Sequence, residues 1–248
     1  MIRAVALIPA RLGATRFPEK LLATIKGKTV ISRTYQSAVD TGLFEQVIVV
    51  TDSEKIKAEI ENCGGTAVMS KGEYESGTDR IAEIAKEMDA DVFVNVQGDE
   101  PFVQREPLKK MLDTFSGSLG DNVQVASIVQ KITDPACVED PNYVKVVLDM
   151  RQNAMFFSRS PIPYRRDKSF HISYYEHIGV YAFRKHALMA FTDWPMSPLE
   201  RAEKIECLRF LENSMPIKMV ISQYMGVEID TPEDITKAEA FMEKMGWE

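Results

Sequence analysis

The first half of the chain alternates short apolar runs with amphipathic segments, and this alternation constrains the fold more than any other feature. "AVALI" opens the series, a helical pattern from about Thr29 to Thr41 closes at Gly42, and "QVIVVTD" follows. A second helical pattern covers Glu54 to Cys63 and stops at Gly64 and Gly65; then come "TAVMS", a helix from about Asp79 to Met88, and "DVFVNVQGDE". Short β-rich runs bounded by turns read as strands, and segments of three- to four-residue periodicity as helices. Repeated strand–helix–strand units give an α/β fold with a mostly parallel sheet, in which ligands bind beyond the carboxyl ends of the strands. The loops at that edge are where chemistry is expected.

The middle of the chain loses this rhythm. "VQVASIVQKI", "YVKVVLDM" and "AMFFSRSPIPYRRDK" read as strands joined by turns and a Pro-rich basic loop, an inserted β-rich element over about residues 122–190 of a single 248-residue domain. In "SPLERAEKIECLRFLEN" a helix is expected with Ser197 as N-cap, Pro198 in the first position and Glu200 completing a capping box. Its buried face would be Leu199, Ala202, Ile205, Leu208 and Leu211. "TPEDITKAEAFMEKM" repeats the logic with Thr231, Pro232 and Asp234.

Charge narrows the function. With 37 acidic and 30 basic residues the net charge is -7, a field that repels nucleic acid and anionic membranes, so neither is expected as a partner. The N-terminal apolar stretch, interrupted by Arg3 and Arg11, is too short for a signal-peptide core or a membrane span. Cys63, Cys137 and Cys207 are odd in number and lack CxxC spacing, which suggests neither a disulfide framework nor a zinc site and points to a reducing cytoplasm. An anionic ligand would have to be captured locally.

The opening loop, "IPARLGATRFPEK", is suited to that task. It gathers Arg11, Arg16 and Lys20 around Gly13 just after the first strand. Guanidinium forks grip phosphate oxygens in pairs and lysine acts as a movable point charge, a set that suits a triphosphate. Taken alone, a solvated basic loop is the simpler account. Neither GxxxxGK[ST] nor GxGxxG occurs. "NVQGDEP" puts Gln97, Asp99 and Glu100 at the end of the most apolar strand, where carboxylates suit Mg²⁺ and a polar turn is the equal alternative. In "EIDTPEDI", Asp230 is a second carboxylate; an aspartate there usually caps the following helix, but Thr231 is available for that. "ESGTDR" reads either as a helix start capped by Ser76 or Thr78, or as Ser76 and Arg80 reading a nucleobase edge. "FFSRSPIPYRR" and "HIGVYAFR" add Arg159, His177 and Tyr181, which suit an acidic sugar, although a lone histidine is more often an ordinary hydrogen-bonded residue.

These stretches, with "PNYVKVVLD" and "IDTPEDI", occur together and in this order in one family, and the chain resembles the 3-deoxy-manno-octulosonate cytidylyltransferases almost end to end. The resemblance implies a Rossmann-like nucleotidyltransferase sheet whose inserted β element forms a homodimer. It implies a Mg²⁺-dependent, cytoplasmic enzyme of lipopolysaccharide assembly that joins CTP to 3-deoxy-D-manno-octulosonate (Kdo). Carried across by position, Arg11 and Lys20 hold the phosphates, with Arg11, Lys20 and Asp99 catalytic. Ser76 and Arg80 lie at the cytosine, and Asp99 and Asp230 hold the metal. Arg16, Gln97, Glu100, Arg159, His177, Tyr181 and Glu206 surround the sugar acid. Glu19, where the family has glycine, and Cys207, where it has glutamine, depart from the pattern, as does the longer "GVEID". Rival readings are a cytidylyltransferase for another acid such as 8-amino-Kdo or a sialic acid, a glycosyltransferase consuming a CMP-sugar, and a nucleotide-binding protein without turnover.

Overall fold

In the computed structural model, which describes residues 2–13, 16–72, 74, 76–223 and 226–247, the first apolar run forms β1 (Ala4–Ala10), buried along its whole length. A Lys20–Leu22 3₁₀ turn and a small hairpin, β2 (Thr24–Ile25) with β3 (Lys28–Thr29), lead to α1 (Val30–Asp40). The expected alternation follows as β4 (Gln46–Thr51), α2 (Glu54–Asn62), β5 (Ala67–Met69), α3 (Gly77–Ala85) and β6 (Val92–Val96). Capping fixes the helix starts: Thr29 accepts from the Ser32 amide at 3.2 Å and Ser76 from the Asp79 amide at 3.0 Å.

The second half contains helices that the sequence reading does not place. These are α4 (Arg105–Asp113), α5 (Gly117–Gly120), α6 (Pro135–Glu139), between β7 (Val125–Lys131) and β8 (Lys145–Leu148), and α7 (Lys185–Asp193). β9 (Ala154–Ser158) and β10 (Tyr175–Phe183) complete the β-rich stretch. The main sheet runs β11-β7-β10-β6-β1-β4-β5, with β11 (Ile217–Ser222) parallel to β7, and with β8 pairing β10 and β9. β10 alone runs antiparallel between β6 and β7, so β7 and β10 are continuous with the parallel half and only β8, β9 and their loops extend beyond it. One face of the sheet packs residues such as Ile8, Val94 and Ile128 against α1, α4 and α10 (Pro232–Met245), and the other packs Leu7, Phe93 and Phe183 against α3, α7 and Phe210.

The helix expected through "SPLERAEKIECLRFLEN" is two: α8 (Pro198–Glu203) and α9 (Leu208–Glu212). Lys204 adopts a left-handed conformation (φ 55°) that ends α8, so Leu199 and Ala202 are exposed while Ile205 and Leu208 are buried and Leu211 half-buried. The break is held by an ion pair inside the protein. Arg209 donates from Nε and Nη2 to the two oxygens of Glu200 at 2.8 and 2.6 Å, and its guanidinium lies 3.8 Å from the centroid of the Phe191 ring. Both partners are 4% exposed. Arg209→Met strands the Glu200 carboxylate, so a loss of about 3 kcal/mol in urea unfolding is expected; a loss below about 1 kcal/mol would show that the pair is dispensable.

Candidate active site

Loops at the carboxyl edge of β1, β5 and β6 enclose a cavity of about 360 Å³ lined by Arg11, Arg16, Lys20, Ser76, Arg80, Gln97, Asp99 and Asp230, among others. At its floor, Lys20 stands at the start of the 3₁₀ turn with Leu21 buried beneath it. Its ammonium lies 2.5 Å from Asp99 Oδ2 and 2.9 Å from Asp230 Oδ1. An exposed loop lysine is what the sequence suggests; the side chain is in fact only 16% exposed. Burial alone would pull its pKa down, but the two carboxylates outweigh burial and raise it, so Lys20 is cationic at any physiological pH.

The two acid-bearing segments are tied together through their backbones. The amide of Ile229 donates to the Asp99 carbonyl at 3.0 Å, and Ile229 itself is fully buried. In extended chain its neighbours on either side point the opposite way. Glu228 and Asp230 therefore both turn toward Asp99, and one oxygen from each of the three lies within 4.8 Å of the others. Asp230 is free for this because Asp234 does the capping: Asp234 Oδ2 accepts from the Thr231 amide at 2.8 Å and from the Asp230 amide at 3.1 Å. Close packing sets Asp99 as well, since a β-carbon on Gly98 would sit 3.0 Å from the Pro9 carbonyl oxygen. Three hard carboxylate donors at this spacing fit a divalent cation such as Mg²⁺. Glu228 is absent from the sequence reading, although the Glu-Ile-Asp alternation is its signal. Removal from water, then the like charges of Asp99 and Asp230, push the Glu228 carboxyl up to about 8. The residue keeps an exposed surface, so the like-charge part, which a cation would cancel, is the greater influence.

At the other end of the cavity Arg80 is 4% exposed and fixed by Asp52 Oδ2 at 2.6 Å and Ser70 Oγ at 2.5 Å, with its guanidinium 5.7 Å from the Tyr74 ring centroid. Asp52 and Tyr74 are absent from the sequence reading of the site: Asp52 ends "QVIVVTD", a run read only as a strand, and Tyr74 lies outside the quoted stretches. Ser76 lines the cavity while its hydroxyl caps α3 and donates to Asp79 Oδ2 at 2.7 Å. Of the two readings of "ESGTDR" the structure shows the helix cap, with Ser76 and Arg80 both on the cavity wall. Arg16 reaches the floor from the rim, 2.9 Å from Asp230 Oδ2.

The remaining expected residues lie outside the cavity lining. Glu206, delivered by the break between α8 and α9, accepts from Thr78 Oγ1 at 2.8 Å and from Gln97 Nε2 at 3.5 Å. Burial raises its pKa against the pull of the Thr78 bonds. Tyr181 is 5% exposed and packs beside fully buried Cys207; burial raises the pKa of both hydroxyl and thiol. Glu100 is 4% exposed and held well above the usual carboxylate range by burial and by Glu228, Asp99 and Glu176. Arg159 is anchored through Nε to the Glu203 carbonyl at 2.8 Å. Glu19 takes a left-handed conformation (φ 53°) just before Lys20 and pairs with Lys55 at 2.9 Å, so glutamate fills a turn position that favours glycine.

His177 is half-buried and is held as an ordinary hydrogen-bonded histidine. Its Nε2 is 3.0 Å from Ser127 Oγ, whose own hydrogen goes to the Val180 carbonyl at 2.8 Å, and Phe157 meets its ring edge-on. Burial pushes its pKa down to about 3. Between that value and the unfolded value near 6.5 the unfolded chain binds the extra proton, so stability falls as pH drops from about 6.5 toward 3. Going from pH 7 to 5 is expected to cost about 2 kcal/mol through His177. His177→Gln should flatten that part of the urea-unfolding profile; an unchanged slope would assign it to other groups.

A cytidylyltransferase family model matches residues 5–219. Over 236 residues the chain is 52% identical to a 3-deoxy-manno-octulosonate cytidylyltransferase of Christiangramia forsetii, covering 95% of each chain. Over 241 residues it is 49% identical to that of Flavobacterium johnsoniae, covering 97% of this chain and 99% of the relative. A solved structure of CMP:2-keto-3-deoxy-manno-octonic acid synthetase complexed with CTP superposes with a TM-score of 0.90 at 35% identity, covering 98% of this chain and 99% of the other. The stretches that line the cavity thus lie within a nearly end-to-end match, and the chain belongs to the 3-deoxy-manno-octulosonate cytidylyltransferase family.

Proposed function

We propose that the protein transfers the CMP moiety of CTP to the anomeric hydroxyl of Kdo, releasing pyrophosphate, with Mg²⁺ as cofactor. The observation that carries this reading is the meeting of Lys20 with Asp99 and Asp230 inside a cavity rimmed by Arg11 and Arg16. It is a site that needs a polyanion and a cation together. Arg11 and Lys20 hold the triphosphate, and the pinned Arg80 and the aromatic wall of Tyr74 receive the base. Gln97, Glu206 and Arg16 receive the sugar acid. The sugar oxygen attacks the α-phosphorus, the bond from that phosphorus to the bridging oxygen breaks, and the hydroxyl proton leaves to solvent. Asp99 and Asp230, joined by Glu228, would hold Mg²⁺, which when bound supplies neutralisation of phosphate charge and acidifies the attacking hydroxyl. The side chains contribute position and charge, and no covalent intermediate is required. Pyrophosphate release measured in parallel with Kdo, 8-amino-Kdo and N-acetylneuraminate tests the acid. Preference for Kdo is expected; preference for another acid would keep the chemistry and move the specificity to the Cys207 side.

The homodimer is part of the same proposal. Met155, Tyr164 and Phe170 on the extended β element are 63%, 86% and 64% exposed, beside a groove lined by Val147, Leu148 and Tyr175. An apolar patch of this kind needs a cover, and a second copy of the element supplies one. Light scattering should give twice the chain mass, and Phe170→Asp should give the monomer; a monomeric wild type would refute it. Among the described residues no helix is long and apolar enough to cross a membrane. All three cysteines are free thiols, which agrees with a cytoplasmic setting.

A further inference from the structure

The turn between α6 and β8 lies 126 residues from the first loop, yet it holds one of that loop's arginines. Arg16 donates from Nη1 to Asn142 Oδ1 at 3.1 Å while its Nη2 pairs with Asp230 at 2.9 Å. The preceding residue of the turn takes a second arginine: Arg159 Nη1 donates to the Pro141 carbonyl at 2.8 Å. A third cation fastens the turn from beneath. Lys145 has no exposed surface, and its ammonium donates to the Asp140 carbonyl at 2.8 Å. The turn is also closed on itself, because the Asn142 amide donates to Asp140 Oδ1 at 2.8 Å and the Tyr143 amide to the Asp140 carbonyl at 3.2 Å.

We propose that Asn142 is a positioning residue for the acid substrate: the Asp140–Asn142 turn, anchored by buried Lys145, aims Arg16 across the mouth of the cavity. The proposal rests on the reading of Arg16 as a sugar-acid ligand. The Arg16 side chain is 57% exposed and long, so without a tether it would sample many rotamers, and ordering it on binding would weaken the complex. Two contacts fix the plane of the guanidinium and leave three of its five N–H groups for a ligand. An amide suits this task better than a carboxylate. It accepts the hydrogen bond without cancelling the charge that a substrate carboxylate requires. Because the turn belongs to the β-rich half and Asp230 to the C-terminal loop, Arg16 also links the sugar side of the site to its acidic floor.

A double-mutant cycle on the full-length protein, with pyrophosphate release as the assay, tests this. Asn142→Ala is expected to raise KM for Kdo about tenfold, to leave KM for CTP within about twofold and to change kcat little, the size set by one hydrogen bond to a charged group. In an Arg16→Ala background the same substitution should add nothing, since Asn142 acts only through Arg16. Asn142 is exposed, so melting temperature should hold; Asn142→Ser, which removes the same acceptor, repeats the test if the alanine variant is poorly soluble. Unchanged KM for Kdo in Asn142→Ala, a parallel rise for CTP, or full additivity in the double variant would each overturn the proposal. If Arg16→Ala itself leaves KM for Kdo unchanged, the reading of Arg16 fails and the proposal with it, whereas a response to Arg16→Ala without one to Asn142→Ala overturns the positioning role alone.

Discussion

Asp99→Asn is expected to lower kcat/KM for CTP about a thousandfold, about 4 kcal/mol of transition-state stabilisation. Asp99 stands where the Lys20 ammonium, the Ile229 backbone and the two other carboxylates converge. An amide keeps its size but cannot share a divalent cation, so positioning survives while charge neutralisation is lost. Stability should move little and in the favourable direction, because the change relieves repulsion on Glu228 and Glu100 while Lys20 keeps Asp230. Steady-state pyrophosphate release and a thermal melt check both parts. A variant within a few-fold of wild type would remove Asp99 from the chemistry.

Lys20→Met should abolish turnover to a similar degree, by about a thousandfold, because a cation aimed at developing phosphate charge is lost from a partly dry site. Its second effect is on the metal. The ammonium is in contact with the same two carboxylates that would hold a divalent ion, so without nucleotide lysine and metal compete there, and phosphate that draws the lysine away would leave the carboxylates to the metal. Without Lys20 the acidic floor keeps Arg16 at its rim but has no ammonium between Asp99 and Asp230, and the variant is expected to lose about 3 kcal/mol of stability in EDTA and to recover much of it in millimolar Mg²⁺. Wild type should show a smaller shift between the two buffers. Mn²⁺ binding followed by electron paramagnetic resonance should accordingly be tighter in the variant without nucleotide. A Mn²⁺ affinity equal to or weaker than wild type would show that lysine and metal do not share the carboxylates.

The parallel half of the sheet is legible from strand–helix alternation because each element carries its own period and its own boundary signals, such as the cap Thr29 and the stops Gly42 and Gly64. The second half is less so. β10 enters the sheet antiparallel between β6 and β7, a pairing set by the tertiary fold and not by anything local in "YEHIGVYAF". The α8–α9 break is invisible to periodicity, since "ERAEKIECLRF" fits one helix; the Glu200–Arg209 pair and the reach of Glu206 to Thr78 decide otherwise. The floor of the site is half legible: Asp99 and Asp230 follow from motif ends, but the role of Lys20 as their counter-ion needs three distant segments in one place. Asn142 lies in the quoted stretch "PNYVKVVLD", but nothing in that stretch ties it to Arg16 until the fold brings the two together.

Pyrophosphate release from CTP by the purified protein, with Mg²⁺ present and Kdo either added or omitted, tests the central claim most directly. One pyrophosphate for each CTP consumed, only when Kdo is present and absent in Asp99→Asn, is the expected result. No release with Kdo, or equal release without it, would contradict transfer of CMP to the sugar acid.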